Sequence, residues 1–243
     1  MSNSTPTLAL GPKAYSSWSL RPWLLLKHVG YPFTESVHPV NGAGSTPHPA
    51  LSALSPSGLV PCLTTPLGDR VWDSLAIIEF VAEQPSLARP AWPADPRARA
   101  LARCFAAEMH SGFSDLRSAL PMNVKYALPA PPPLPPRAAA QVARVTALWA
   151  EARAAWGAPS GEGPFLFGAF CAADAMFAPV ALRFRTYAIA PAQPAAAEYL
   201  AALLADPFVQ EWVAAGLLEG GELVHEGYDA QVAAMGGVLV APK

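Results

Sequence analysis

The hydrophobic pattern of the chain changes near residue 85, and this change limits the folds that the chain can adopt. Before that point, short apolar runs typical of strands alternate with longer stretches at helical spacing. We predict strands at residues 7–10, 33–37, 62–65 and 70–72, helices at 17–29 and 74–83, a loop rich in Gly, Pro and Ser at 40–49 and a short helical turn at 50–54. This order predicts one small sheet covered by helices.

After residue 85 the strand patterns end. A linker rich in proline and small residues covers 85–95, and apolar residues then recur at helical spacing: Leu101, Phe105, Met109 and Leu116, followed by Val142, Val145, Leu148 and Trp149. The prolines at 129–136 are interpreted as a stiff loop between helices, with a polyproline ligand as the alternative. The sequence therefore predicts a thioredoxin-like α/β domain at 1–84, the linker at 85–95 and an all-helical domain at 96–243.

Composition narrows the function classes. The chain has 243 residues, of which 52% are hydrophobic and 14% charged, and its net charge is −2. Without a basic tract, nucleic acid and anionic membranes are poor partners. Residues 163–182 carry only Asp174 as a charge and predict a buried helix rather than a membrane span. The N-terminus lacks a signal-peptide pattern, which predicts a cytoplasmic protein.

The cysteines argue against a metal site. Cys62, Cys104 and Cys171 are far apart in sequence and form neither a C-x-x-C motif nor a zinc-ligand spacing with histidine. We expect reduced thiols and no metal cofactor.

A cluster of hydroxyl groups marks the first candidate site. Ser16, Ser17 and Ser19 lie at the junction of the first predicted strand and the first predicted helix. Unpaired amides and the positive end of the helix dipole favour a bound anion at such a junction. Serine is also a preferred N-cap, so simple capping is the alternative interpretation.

Two further motifs follow at similar junctions. Val60-Pro61 precedes a strand, where a cis proline turn fits. Asp73-Ser74 lies between a strand and a helix, where both side chains fit an N-cap.

The order of these three motifs resembles the N-terminal domain of the glutathione S-transferase superfamily. Ser16 and Arg21 have a spacing similar to the serine-type classes. The zeta class, which includes maleylacetoacetate isomerases, is the most similar: its double serine compares with Ser16-Ser17, and its Gln-Ser-Leu-Ala-Ile-Ile-Glu with residues 73–79. The zeta pattern has cysteine at the position of Trp18. The Cys171 to Asp174 segment also resembles the buried capping box of the superfamily.

The resemblance implies glutathione as cosubstrate. Ser16 would donate a hydrogen bond to its sulfur, and Ser17 or Tyr15 are alternative donors. The backbone of Val60, held by a cis Pro61, would pair with the cysteinyl amide. Ser74 would bind the γ-glutamyl carboxylate and Asp73 the ammonium group.

The second substrate is harder to identify from the sequence. Tyr15 and Trp18 flank the serines and are expected to form an apolar wall. His110 and Arg117, placed about two turns apart on the first helix of the second domain, are expected to face an anionic electrophile.

Three functions follow from these interpretations. The first is a glutathione S-transferase, a detoxification enzyme that acts on a small apolar or anionic electrophile. The alternatives are a glutathione-dependent isomerase of the maleylacetoacetate type and a non-catalytic binding protein with the same fold. The resemblance also implies a homodimer.

Overall fold

The computed structural model describes residues 4–40 and 51–240. Apart from Val40, the predicted loop at 40–49 lies outside the described residues. The predicted turn at 50–54 is described from Leu51 onward, where the amides of Leu54 and Ser55 donate to the Leu51 carbonyl.

A four-stranded sheet forms the centre of the first domain. Its strands are β1 (Thr7–Leu10), β2 (Thr34–Val37), β3 (Cys62–Thr64) and β4 (Arg70–Val71), in the spatial order β2-β1-β3-β4. β1 is parallel to β2 and antiparallel to β3, and β3 is antiparallel to β4. The predicted strands are confirmed, with ends that differ by one residue at most.

Two helices complete this domain, α1 (Ser17–Val29) and α2 (Ser74–Ala82). The bounds of α1 coincide with the prediction. Helix α1 shares a core with the leucines of β1, and it contacts α2 in its own domain and two helices of the second domain. Almost all of it is therefore buried, including Leu20, Leu24 and Arg21.

The second domain is mostly helical. Its helices are α3 (Pro96–Ser111), α4 (Ser114–Ala119), α5 (Pro136–Ala152), α6 (Ala158–Ser160), α7 (Ala172–Thr186), α8 (Pro194–Ala205), α9 (Pro207–Leu218) and α10 (Glu226–Ala234), with a π-turn at Arg153–Gly157 and a 3₁₀ turn at Gly221–Leu223. The expectation of no strands was wrong in one place. β5 (Tyr126–Ala127) and β6 (Val238–Leu239) form a two-stranded antiparallel sheet.

The helix predicted through Leu116 is broken in the structure. α3 ends at Ser111, and Phe113 adopts a left-handed conformation with φ 59° before α4 begins. A Cβ at Gly112 would lie 2.7 Å from the Glu108 carbonyl oxygen, so the chain can turn this tightly only without a side chain there. His110 and Arg117 therefore lie on two different helices, and the prediction of one shared helix was wrong.

Helix α7 is the buried helix that the sequence predicts, and it packs against both α1 and α3. Its capping box is present. The buried Asp174 carboxylate accepts from the amides of Cys171 at 2.8 Å and Leu166 at 3.1 Å. Burial raises the pKa of Asp174 to about 6.

Over the described ranges, no single helix is long and apolar enough to cross a bilayer. The bent pair α8 and α9, which meet at 60°, meets the length and composition criteria only when the two are taken together.

Replacing Asp174 with Ala should lower the free energy of unfolding by about 2 to 4 kcal/mol, because two buried amides lose a charged acceptor. Asp95→Ala is the matched control. Asp95 also accepts from two amides, those of Arg97 and Ala98, but it is exposed, and its loss should be about 1 kcal/mol. Urea unfolding of both variants measures the difference, and equal losses would contradict a special role for the buried box.

Candidate functional site

A cavity of about 500 Å³ lies between the start of α1 and the second domain. From the first domain it is lined by Tyr15, Ser16, Ser17, Trp18 and Val60, among others. From the second domain it is lined by Arg117 of α4, Met122, Arg183 of α7, and His225 and Tyr228 at α10. The structure thus brings Ser16, Val60, Tyr15, Trp18 and Arg117 of the predicted site residues together.

Ser16 is the N-cap of α1 and is half-buried. Its Oγ accepts from the Ser19 amide at 3.4 Å and donates to Ser19 Oγ at 2.8 Å. Ser19 Oγ also accepts from the Gly11 amide at 3.0 Å. The Trp18 amide, by contrast, has no acceptor among the described residues. The start of α1 therefore presents one rotatable hydroxyl and one unpaired amide beside the cavity.

Tyr15 is held by a second polar group. Its hydroxyl donates to the Asp229 carboxylate, 3.1 and 3.2 Å from the two oxygens, and Asn123 Nδ2 donates to the same carboxylate at 2.8 Å. Burial, followed by the charge of Asp229, raises the pKa of Tyr15 well above its usual value. The Tyr15 hydroxyl is thus already hydrogen-bonded to Asp229, and its ionisation to a phenolate is disfavoured.

Trp18 lies between two cations. The guanidinium carbons of Arg21 and Arg117 are each 4.2 Å from the centre of its ring. The imidazole of His110 meets the ring edge, with ring centres 5.4 Å apart. Both residues that we predicted for the electrophile therefore contact Trp18, although the two lie on different helices.

Asp73 and Ser74 do not line this cavity. Asp73 caps α2 through the Leu75 amide at 3.1 Å, and His110 Nε2 lies 3.2 Å from its other carboxylate oxygen. Ser74 is fully buried, and its hydroxyl has no hydrogen-bond partner in the described part of the chain. His110 is thereby joined to Asp73 rather than to Arg117.

The turn before β3 has the predicted conformation, since the Val60-Pro61 peptide bond is cis. The Trp72-Asp73 bond is also cis, which the sequence does not predict. The backbone N–H and C=O of Val60 make no hydrogen bond to another described residue. An extended peptide can therefore pair with Val60 at the edge of the cavity.

Several residues of the site were missed in the sequence. Arg183 is buried in the mostly apolar helix α7, and a charge in that setting is a signal that could have identified it. His225 and Tyr228 stack with ring centres 4.0 Å apart. Like Asp229, they lie at α10, more than 200 residues from Tyr15 in sequence. No local sequence pattern indicates that they lie close to Tyr15 in the fold.

Residues at the end of α9 hold the loop before Ser16 through hydrogen bonds, and we call this contact the clamp. The Glu219 carboxylate accepts from the amides of Lys13 at 2.7 Å and Ala14 at 2.9 Å. Trp212 Nε1 donates to the Lys13 carbonyl at 2.7 Å. A Cβ at Gly216 would lie 2.9 Å from the Ala14 nitrogen, so glycine allows α9 to approach the loop this closely.

No group of His, Cys, Asp and Glu within residues 4–40 and 51–240 is arranged to hold a metal ion. The unpaired polar groups of the site belong instead to a serine, backbone amides and arginines, which suit an anionic or peptide ligand.

Comparison with known proteins agrees with this geometry. Residues 15–84 match the family model of the glutathione S-transferase N-terminal domain. No curated protein matches the chain in sequence.

Solved structures share the fold. A glutathione transferase homologue from Burkholderia with bound glutathione is 23% identical, with 88% of this chain and 98% of that chain covered and a TM-score of 0.61. A theta-class glutathione S-transferase from Xanthomonas axonopodis with glutathione bound is 24% identical over 89% and 98%, with a TM-score of 0.60. A maleylacetoacetate isomerase from Methylobacterium extorquens with bound malonate and glutathione is 21% identical over 88% and 98%, also at 0.60.

Glu219→Ala should lower the free energy of unfolding by about 1 to 3 kcal/mol, because the amides of Lys13 and Ala14 lose their acceptor. Glu222→Ala is the control, since Glu222 is exposed and its removal should change stability by about 0.5 kcal/mol or less. Denaturant unfolding of both variants checks the prediction, and a Glu219 variant as stable as the control would show that the clamp contributes nothing.

Proposed function

Residues 15–84 belong to the N-terminal domain family of the glutathione S-transferases and the described chain has the fold of that superfamily, and from this premise we propose that the protein activates the thiol of glutathione for attack on a small electrophile. The observation that carries the proposal is the hydroxyl of Ser16 beside the unpaired Trp18 amide, at the edge of the cavity.

The energetic requirement is modest. A free thiol has a pKa near 8.5, so only about a few per cent is thiolate at neutral pH. Lowering that pKa by about two units needs roughly 2.7 kcal/mol. A hydrogen bond to a charged acceptor supplies about 1.5 to 3 kcal/mol, and a helix N-terminus up to about 2 kcal/mol more. Ser16 with α1 is sufficient in magnitude.

Ser16 can serve as cap and activator at once. Capping uses a lone pair of Oγ, whereas activation uses its proton. When the Ser16 proton turns from Ser19 toward sulfur, the Ser19 hydroxyl, 2.8 Å away, can donate to Ser16 Oγ in its place. Such a chain of hydroxyls strengthens the terminal donor. Ser19 is therefore a positioning residue for the thiolate, while Tyr15 is already engaged by Asp229.

The remaining groups fit the rest of the tripeptide. Val60 offers its free backbone groups to the cysteinyl amide. Outside the lining of the cavity, the start of α2 with the unpartnered Ser74 hydroxyl is proposed to bind the γ-glutamyl carboxylate, with Asp73 as the counter-charge for the ammonium group. Glutathione is the substrate that supplies the nucleophilic sulfur.

The isomerase alternative retains the support of the zeta-like motifs, but Trp18 with its two guanidinium neighbours occupies the position of the zeta cysteine. In a binding protein without catalysis, Ser16 would serve only as the cap of α1. Retention on glutathione-agarose, followed by assays with an aryl halide, a maleyl diketone and an organic peroxide, separates these functions. A homodimer is proposed from the resemblance alone, and the cytoplasmic location stays a prediction.

Ser16→Ala should raise the pKa of the bound thiol by about one to two units, because one charge-assisted hydrogen bond is lost. Conjugation rate rises with pH through this pKa, so the rise should move to higher pH by the same amount. Thiolate absorbance and the pH–rate profile both measure it. Ser114→Ala removes a hydroxyl from the opposite wall and serves as the control. If the pH–rate profile of the Ser16 variant is unchanged, Ser16 does not activate the thiol, and Ser17 is the next candidate.

Ser74→Ala should weaken glutathione binding about tenfold, since part of a carboxylate is left unpaired. Ser86→Ala, an exposed serine in the linker, is the control. Titration calorimetry measures both affinities. If the Ser74 variant binds glutathione like the wild type, Asp73 and Ser74 serve only to cap α2.

A further inference from the structure

Three arginines lie at or next to the cavity. Arg117 and Arg183 line it, and Arg21 lies against Trp18, which also lines it. Arg21 is fully buried, and only its Nε is satisfied, by the Met176 carbonyl at 3.1 Å. Both of its terminal nitrogens are buried and have no partner among the described residues. Arg183 is also buried and donates from Nε to the Leu120 carbonyl at 2.7 Å and from Nη1 to the Pro179 carbonyl at 3.2 Å.

Arg117 is the guanidinium that faces the cavity without a polar partner. It lies over Trp18, and within the described ranges it forms neither an ion pair nor a hydrogen bond. Burial lowers the pKa of Arg117. Burial, followed by the charges of Arg117 and Arg183, lowers the pKa of Arg21. The three guanidinium groups are thus near enough to repel one another.

The protein itself supplies little negative charge to this cluster. Asp73, which attracts Arg21, is engaged by the start of α2 and by His110. On α4, Asp115 pairs with Arg137 and Gln141. At α10, Asp229 binds Tyr15 and Asn123. None of the residues outside the described ranges is an Asp or a Glu.

We propose that the cavity binds an electrophile that carries a carboxylate on an aromatic body, with the carboxylate on Arg117 and the positive charge of Arg21 and Arg183 behind it. A guanidinium can bind a carboxylate through two parallel hydrogen bonds. The walls formed by Tyr15, Met122 and Tyr228 suit an aromatic body. This inference rests on the proposed function, because it names the second substrate of the same site.

A pair of probes separates charge from shape. 4-Chloro-3-nitrobenzoate carries the carboxylate, and 4-chloro-3-nitrobenzamide is its neutral analogue. In either reaction the sulfur of the glutathione thiolate forms a bond to the ring carbon that carries chlorine. The carbon–chlorine bond then breaks, chloride leaves with the electron pair, and the thiol proton has passed to solvent, so no oxidant or reductant is required.

Arg117→Ala should lower kcat/KM for the benzoate about 10- to 100-fold and for the benzamide less than about threefold, since only the anion loses a charge-assisted bond. Arg144→Ala is the control. It removes one positive charge from α5, where Arg144 pairs with Glu108, and both substrates should react as with the wild type. Arg117→Lys keeps the charge without the paired donors and should retain part of the preference.

Other outcomes overturn the inference. Equal losses for the two probes, or no loss for either, would show that Arg117 does not bind the carboxylate. If the wild type converts neither probe, calorimetry with unreactive 3-nitrobenzoate and 3-nitrobenzamide still tests the anion site. If Arg117→Ala then weakens binding of the benzoate but not of the benzamide, the anion site is supported and only the transferase activity is contradicted. If both compounds bind equally, the anion site is overturned. If Arg117→Ala does not fold, Arg117→Lys and Arg117→Gln provide the same comparison.

Discussion

Burial of α1 between the sheet and α7 is the constraint on which the site depends. The helix is covered on one side by the first domain and on the other by the second, and Arg21 Nε bonds to the backbone of α7 inside that contact. Because α1 cannot move independently, its first turn is fixed against the second domain. Ser16, Ser17 and Trp18 therefore meet Arg117 and Arg183 in one cavity, although they come from distant parts of the chain.

Local patterns predicted the first domain well because its strands and helices are short and separated by clear turn signals. The bounds of α1 were correct to the residue, since Ser16 is both the cap and the end of the loop. The break between α3 and α4 was missed because apolar spacing continues through Leu116, whereas the break comes from Gly112 and the backbone of Phe113. Helical periodicity does not report a turn of this kind.

The candidate site was predicted mainly in the half that the first domain builds, with Arg117 as the residue of the second domain that was identified and lines the cavity. Ser16, Val60 and Trp18 were identified from motifs at helix and strand starts. Asp229, which binds the Tyr15 hydroxyl, and Glu219, which binds the amides before Ser16, were not identified. Each contact joins residues more than 200 positions apart, and no local sequence pattern marks it. His110 was identified, but its partner is Asp73 rather than a substrate group or Arg117. The sequence showed which residues carry chemistry and not which of them already have a partner.

The distribution of partners explains how one cavity can serve two unlike substrates. Where the protein supplies its own partner, as Asp229 does for Tyr15, the group is held in one state and is poorly suited to take up a ligand. Where it supplies none, as for Arg117, the Trp18 amide and the Ser74 hydroxyl, desolvation has already raised the free energy of the unliganded protein. A ligand that satisfies such a group recovers part of that free energy on binding. Under the proposed function, the unsatisfied donors at α1 in the cavity and at α2 outside its lining would bind the thiol peptide, and those around Trp18 would bind a second anion.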